Sequence, residues 1–293
     1  MAKCGSFTSF GDFSWCKKAM PKEANADLKE GFRAVHEYVV NKDITVAHPP
    51  AGDSFLALSF GVETTDCWSE LMSSLYYVET QLFDCYYSGS QGPLSNDWHG
   101  NHSRSNPCTG RHCYTEAYHK NRVCLDDTST VKAFTDTGSR KYQSLFVPLE
   151  GRAPLSTFVK MDVEGSEWAS LEWLLSDEEA IMKIRTLDLE VHLNKDATPE
   201  RRVRPTRETL IAHVDLIERL LDKFVVTGST LESSLKHVQK EWIRHRKEDA
   251  NYTQAETMIH TPEGLPMENF CISFMNRKLF GEEPATTTTT TTF

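Results

Sequence analysis

Apolar residues occur along the chain in two patterns, short continuous runs and repeats at intervals of three and four. Continuous runs are typical of buried strands, and three-and-four repeats are typical of helices that pack one face on a core. Strands are predicted at 55–60, 78–83, 120–125, 157–161, 184–193, 224–227 and 270–275. Helices are predicted around 68–75, 168–175 and 210–221, the last preceded by the N-cap residue Thr206.

The alternation of strands with helices predicts an α/β sheet joined by right-handed crossovers. Ligands of such sheets bind beyond the carboxyl ends of the strands, so residues that follow strands are candidate site residues. These candidates are Gly61, Glu63, Asp84, Asp126, Asp162, Glu164, Glu190 and His192.

Four segments differ in composition from the predicted α/β domain, which spans 51–280. Residues 1–50 form an N-terminal extension with one helical stretch, and 85–118 form a polar insertion rich in Ser, Gly, His, Tyr and Cys. Residues 230–268 are a charged excursion with a helical pattern. The threonine run within 281–293 is of low complexity and is expected to be disordered.

Composition narrows the class of protein. The chain has 293 residues, of which 39% are hydrophobic and 25% charged, as in ordinary globular proteins. The net charge of −10 argues against a nonspecific nucleic-acid or anionic-membrane binder, since both need a cationic face. No run approaches the ~18 apolar residues of a membrane span. We therefore expect no nucleic-acid partner and no membrane span.

Eight cysteines are too few for a disulfide scaffold in a chain of this length. The first residues lack the apolar run of a signal peptide, so we expect a cytoplasmic protein with reduced thiols, or a secretory one if further residues precede them. Three interpretations of the cysteines in and beside the insertion stay open. They are free thiols, a Cys108–Cys113 or Cys113–Cys124 disulfide, and a zinc site.

Polar side chains at two strand ends indicate a reactive cluster. Asp162 and Glu164 share one face if their strand persists, and Glu190 and His192 have the same spacing at the next strand end. Together they could hold a divalent cation, or a neutral histidine could take a proton near pH 7. The alternatives are a helix N-terminus stabilised by Glu164 or Glu167, and a solvent-exposed face for Glu190 and His192.

Two further strand ends suit a nucleoside. Gly61 allows a ligand to approach the backbone closely, and Asp84 can accept hydrogen bonds from ribose hydroxyls. Because a single glycine replaces the three of a dinucleotide fingerprint, a ligand without pyrophosphate is favoured. A turn glycine and a helix cap are the alternatives.

The segment 159–168, Val-Lys-Met-Asp-Val-Glu-Gly-Ser-Glu-Trp, resembles the signature of FkbM-type and related methyltransferase-like domains, which are class I S-adenosylmethionine-dependent methyltransferases. Four more segments resemble the family in order and spacing. They are Leu-Ser-Phe-Gly-Val-Glu at 58–63, Gln-Leu-Phe-Asp at 81–84, Leu-Asp-Leu-Glu-Val-His at 187–192 and Cys-Ile-Ser-Phe-Met-Asn at 271–276. The similarity covers about 50–276.

This resemblance implies a Rossmann-like, mostly parallel seven-stranded sheet with an antiparallel last strand. It implies that S-adenosylmethionine lies across Gly61, Glu63 and Asp84, with Asp126 or Asp127 near the adenine and Asp162 near the methionine end. The expected activity is O-methylation of a small-molecule or glycan-like acceptor. From strand geometry, the expected catalytic residues are His192 and Glu190, with Asp162 and Glu164. A divalent metal is compatible with the cluster but is not predicted, and the sequence does not indicate an oligomeric state.

Two alternative functions stay open on the same residues. One is a catalytically silent binding domain, which the reduced glycine motif would suit. The other is a metal-dependent hydrolase that uses Asp162, Glu164, Glu190 and His192.

Overall fold

A computed structural model describes residues 55–62, 66–74, 78–85, 114, 118–126, 131–134, 138–193, 206–229, 259–260, 266–267 and 269–280. The predictions for 1–50 and 281–293 lie outside these residues, as do most of those for 85–118 and 230–268. The domain boundaries drawn from composition therefore stay predictions.

The described residues form twelve strands and five α-helices. The strands are β1 Leu56–Phe60, β2 Glu79–Phe83, β3 Tyr118–Asn121, β4 Cys124–Leu125, β5 Val131–Phe134, β6 Gly138–Gln143, β7 Thr157–Met161, β8 Ile184–His192, β9 Phe224–Ser229, β10 Ile259–His260, β11 Pro266–Met267 and β12 Asn269–Asn276. The helices are α1 Cys67–Ser74, α2 Phe146–Leu149, α3 Glu167–Ser176, α4 Glu178–Lys183 and α5 Arg207–Lys223, and a 3₁₀ helix spans Arg277–Phe280.

Seven strands form one sheet in the order β3-β2-β1-β7-β8-β12-β9. The pairs from β3 to β8 are parallel, and β12 is antiparallel to both β8 and β9. The prediction of an α/β fold with a mostly parallel seven-stranded sheet and an antiparallel last strand is confirmed. This architecture fits a Rossmann-like fold.

The central strands are buried because helices cover the sheet. Every residue of β1, β7 and β8 is buried. Helix α5 begins at the N-cap Thr206, whose Oγ1 accepts a hydrogen bond from Thr209 N at 3.2 Å. Its residue His213 stacks on Trp168 of α3 with ring centroids 3.8 Å apart, which fixes the two helices against each other.

One predicted strand differs from the structure, and one small sheet was not predicted. The segment 120–125, predicted as a single strand, is divided into β3 and β4, and only β3 joins the main sheet. Strands β5 and β6, which the sequence pattern did not predict, belong to a separate three-stranded sheet in which β6 pairs with both β4 and β5. Strand β6 has the sequence Gly-Ser-Arg-Lys-Tyr-Gln, which contains neither an apolar run nor a polar–apolar alternation, so the pattern that predicts a strand is weak.

None of the described helices has the length and apolar character needed to cross a membrane.

Candidate active site

The site is positioned by the point where the strand order of the sheet reverses. From β1 the chain proceeds outward to β2 and β3, and it then returns to β7 on the other side of β1. In open α/β sheets, ligands bind in the crevice at the carboxyl ends of the strands at such a switch point. Gly61 follows β1 and Asp162 follows β7, so both lie at this crevice. Asp162 N donates a hydrogen bond to Phe60 O at 3.1 Å.

Gly61 occupies a position that only glycine can fill. Its φ is +77°, in the left-handed region. A Cβ atom at this position would lie 1.5 Å from the carbonyl oxygen of Asp162. The glycine therefore permits the close approach of the β1 and β7 ends. Its contact with a ligand stays a prediction.

Asp84, which follows β2, connects the ends of the two strands on either side of β2. Its Oδ2 accepts a hydrogen bond from Val62 N at 2.9 Å, and its own N–H donates to Asn121 O at 3.1 Å. The half-buried carboxylate thus shapes the turn after β1 and stands at the carboxyl end of β2. Glu63, the neighbouring candidate, lies outside the described residues.

The polar residues of β8 alternate onto one face. Asp188 is fully buried, and its carboxylate accepts hydrogen bonds from Trp68 Nε1 at 2.9 Å and Ser273 Oγ at 2.6 Å. Burial raises the pKa of Asp188 to about 7, although both hydrogen bonds and Lys160 oppose the rise. Asp188 therefore connects β8 to Trp68 of α1 and to Ser273 of β12. Glu190 and His192 follow it on the same face of β8, nearer to the crevice.

Glu190 and His192 meet Asp162 in a buried cluster. Glu190 is 2% exposed and His192 is fully buried, which excludes the solvent-exposed alternative. His192 Nε2 lies 3.0 Å from Glu190 Oε1 and 3.9 Å from Asp162 Oδ1. One ligand atom from each of the three residues lies within 4.8 Å of the others. The expected convergence of these three side chains is therefore observed.

Glu164 reaches this cluster by another route than predicted. The expectation that the strand persists to Glu164 is wrong, because β7 ends at Met161 and Glu164 has a φ of +57°. The turn continues through Gly165, whose φ is +104°. The Glu164 side chain is 62% exposed, and its Oε1 lies 4.0 Å from His192 Nε2. It therefore lies at the solvent side of the cluster.

Glu167 is a residue of the site that the sequence reasoning assigned only to a helix N-terminus. It is fully buried, and its Oε1 lies 2.9 Å from both the backbone N and the ring Nδ1 of His192. Its Oε2 accepts a hydrogen bond from Gly165 N at 2.7 Å. A sequence signal exists, because Glu167 lies four residues before Leu171 on the apolar face of α3.

Lys160 is the buried cation of this region. It is 3% exposed, its Nζ donates a hydrogen bond to Gly61 O at 2.6 Å, and the Asp162 carboxylate lies 3.8 Å away. Burial alone would lower the pKa of Lys160, but the carboxylates of Asp66, Asp162, Glu190 and Asp84 raise it above its usual value. The ammonium group therefore stays charged and ties the β1 turn to the cluster.

The pKa values of Asp162 and His192 are both raised, so both side chains are shifted toward their protonated forms. Burial raises the pKa of Asp162 to about 7, with Lys160 opposing the rise and Glu190 adding to it. Burial would lower the pKa of His192, but Glu167 and Glu190 outweigh it and raise the value to about 10. The cluster thus has a strong affinity for positive charge.

Asp126 lies elsewhere than the resemblance implies. The third strand of the main sheet ends at Asn121, and Asp126 follows β4 of the small sheet, where its N–H donates to Gln143 O. A disulfide between Cys85 and Cys124, with Cα atoms 4.9 Å apart, holds the start of this segment beside the end of β2. The segment with Asp126 is therefore kept near Asp84.

This disulfide corrects two expectations about the cysteines. A Cys113–Cys124 disulfide is wrong, because Cys124 is bonded to Cys85. Reduced thiols are likewise wrong for these two residues. The pair was not predicted because Cys85 lies just after a strand, outside the cysteine-rich part of the insertion.

No family model, no curated protein and no solved structure matches this chain in comparisons with known proteins. The interpretation of the site depends on the residues and distances described above.

Proposed function

We propose that the protein is an S-adenosylmethionine-dependent methyltransferase that methylates an oxygen of a small-molecule or glycan-like acceptor. The observation that carries the proposal is the sheet order β3-β2-β1-β7-β8-β12-β9 with an antiparallel β12. This is the arrangement that class I methyltransferases are expected to have. The resemblance of 159–168 to the FkbM-type signature supports the same conclusion.

The residues at the switch point suit a methyl donor of the nucleoside class. Gly61 keeps the turn after β1 free of a side chain, and Asp84 presents a carboxylate at the next strand end, where ribose hydroxyls are bound in related architectures. The disulfide keeps the segment with Asp126 beside Asp84. The acidic cluster at the end of β7 and β8 favours a ligand that carries a sulfonium charge.

The donor supplies an electrophilic methyl group whose C–S bond breaks as the acceptor oxygen forms the new C–O bond. The chain's own residues orient the acceptor and accept its proton. His192, whose pKa is raised to about 10, already holds a proton at neutral pH, so the groups available for the acceptor's proton are the carboxylates of Asp162 and Glu190. Glu167 fixes the His192 ring through Nδ1, and the Asp162 side chain keeps 16% of its surface exposed.

A metal-dependent hydrolase is the second candidate. The observation that favours it is the joint placement of two carboxylates and an imidazole, which resembles a set of metal ligands. The two candidates differ in their dependence on the donor, because the hydrolase needs a metal ion and water but no nucleoside.

Calorimetric titration of the full chain with S-adenosylmethionine and S-adenosylhomocysteine tests the proposal. We expect both to bind with one site per chain. Asp84→Asn keeps an acceptor for Val62 N–H but removes a carboxylate oxygen, so it should weaken binding by about 1–3 kcal/mol, or roughly 5- to 150-fold. The matched control is Asp222→Asn on the exposed surface of α5, which should bind as wild type does.

Three outcomes separate the candidate functions. Absence of donor binding by the wild-type chain would contradict the methyltransferase proposal. Metal-dependent hydrolysis of a nitrophenyl ester in its place would favour the hydrolase. Donor binding without methyl transfer to any of a panel of glycans and small hydroxylated acceptors would favour the silent domain.

A further inference from the structure

Glu167 holds the His192 ring so that its second nitrogen, Nε2, points toward the other carboxylates of the cluster. Glu167 lies 2.9 Å from Nδ1 and from the backbone N–H of the same residue, so the carboxylate accepts both protons. This arrangement places the proton of a neutral imidazole on Nδ1 and leaves the lone pair on Nε2. Carboxylates that orient a histidine in this way are typical of metal sites.

His192 Nε2 is buried and makes no directed hydrogen bond to any described residue. Glu190 Oε1 nevertheless lies 3.0 Å away, with Asp162 Oδ1 at 3.9 Å. A nitrogen lone pair that faces carboxylate oxygens at this distance is repulsive unless a positive charge stands between them. In the metal-free chain that charge is a proton on Nε2, which a bound cation would replace. Two ligand atoms at right angles around an ion, each about 2.1 Å from it, lie about 3.0 Å apart.

The charges around the cluster also favour a cation. Asp162, Glu164, Glu167 and Glu190 contribute four carboxylates, whereas Lys160 is the one ammonium group among the described residues that contacts the cluster. A cation that binds Nε2 displaces the proton there, and the neutral His192 then leaves an excess of negative charge in buried surroundings. A divalent ion would reduce this excess, and the exposed Glu164 provides a side through which it can enter.

We infer that Asp162, Glu190 and His192 bind one divalent cation of the Mn²⁺ class at the crevice. Two carboxylate oxygens and one imidazole nitrogen suit Mn²⁺ better than Mg²⁺, because nitrogen is a poor ligand for the harder ion. This inference rests on the geometry of the cluster and not on the proposed methyl transfer.

The test uses the full chain, freed of metal by dialysis against a chelator and titrated with Mn²⁺ in the absence of any methyl donor. Electron paramagnetic resonance of free Mn²⁺ gives the stoichiometry and affinity. We expect one Mn²⁺ per chain, bound at least 10-fold more tightly than Mg²⁺. Glu190→Gln and His192→Gln should each weaken Mn²⁺ binding at least 10-fold. Glu172→Gln, on the exposed face of α3, should leave it unchanged.

A spectroscopic readout keeps the test independent of stability. Electron spin echo modulation of bound Mn²⁺ should show one imidazole ¹⁴N in the wild-type chain and in Glu190→Gln, and none in His192→Gln. Glu167→Gln should weaken binding roughly 10- to 100-fold, because the amide no longer orients the ring. Circular dichroism shows whether each variant is folded. If His192→Gln or Glu167→Gln fails to fold, the Mn²⁺ affinity of Glu190→Gln decides the test.

Absence of Mn²⁺ binding would overturn the inference. The positive charge between His192 Nε2 and Glu190 would then be a proton in every state of the chain. Binding that Glu190→Gln leaves unchanged, or that shows no nitrogen modulation in the wild-type chain, would overturn it as well. Because no donor is present, these outcomes are independent of whether the chain binds S-adenosylmethionine.

Discussion

At the scale of single residues, the site depends on a contact between two strand ends that excludes side chains. Gly61 has a φ of +77°, and a Cβ atom there would meet the Asp162 carbonyl oxygen at 1.5 Å. Gly151 has a similar φ of +67°, but a Cβ atom there would meet nothing within 4 Å. Substitution of Gly151 therefore tests the cost of a left-handed backbone alone, and substitution of Gly61 adds the cost of a steric clash.

Gly61→Ala should lower the free energy of unfolding by more than about 3 kcal/mol, because it adds a backbone clash to the left-handed strain. Gly151→Ala should lower it by roughly 1–2 kcal/mol, since only the strain applies. Urea unfolding followed by circular dichroism measures both. Equal losses in the two variants would show that the β1 and β7 ends can separate at little cost.

The sequence predicts part of the residue-scale site because strand periodicity is a local property. The spacing of Glu190 and His192 places them on one face of β8 without further information. The role of Glu167 depends on the packing of α3 against the end of β8, which a single sequence does not show. The position of Glu164 was not predicted because β7 ends at Met161 and Glu164 itself has a left-handed backbone conformation.

At the scale of elements, α5 is held by its cap and by one ring stack. Thr206 accepts a hydrogen bond from Thr209 N, so Thr206→Ala should lower the free energy of unfolding by about 1 kcal/mol. Thr206→Ser keeps the hydroxyl and should stay close to the wild-type value. Chemical denaturation of the three proteins measures the difference, and equal stability of the alanine and wild-type chains would contradict the assigned cap.

The Cys85–Cys124 disulfide is a second element-scale constraint. It closes a loop with a sequence separation of 39 residues between the end of β2 and β4. Replacement of both cysteines by alanine should lower the free energy of unfolding by about 3–4 kcal/mol, because the unfolded chain gains loop freedom. Urea denaturation of the oxidised wild type and of the double variant tests this. An unchanged midpoint would contradict the pairing.

Long apolar strands could be predicted from the sequence, whereas short polar ones could not. The predictions for β1 and β7 succeed because these buried strands are mostly apolar, and the prediction for β8 succeeds because its apolar and polar residues alternate. Strand β3 has the sequence Tyr-His-Lys-Asn, lies at the edge of the sheet and is partly exposed, so its pattern is weak. The pairing of Cys85 with Cys124 depends on how the insertion folds back, which local patterns do not encode.

At the scale of the whole molecule, the order of the strands brings residues from distant parts of the chain to one crevice. Gly61, Asp84, Asp162 and His192 stand at the ends of four strands that the order of the sheet places side by side. Part of the negative net charge of −10 is concentrated at this crevice, where several buried carboxylates lie close together. We expect the methyl donor and the divalent cation to bind at this one edge of the sheet.

Amide hydrogen exchange of the full chain, with and without S-adenosylmethionine, tests this claim most directly. We expect slower exchange in the donor complex at the carboxyl ends of the strands, around Gly61 and Val62, at Asp84 and at 162–165. Exchange at the opposite edge, around 153–156, should be unchanged. Unaltered exchange throughout the chain, or slower exchange only at the opposite edge, would contradict the account.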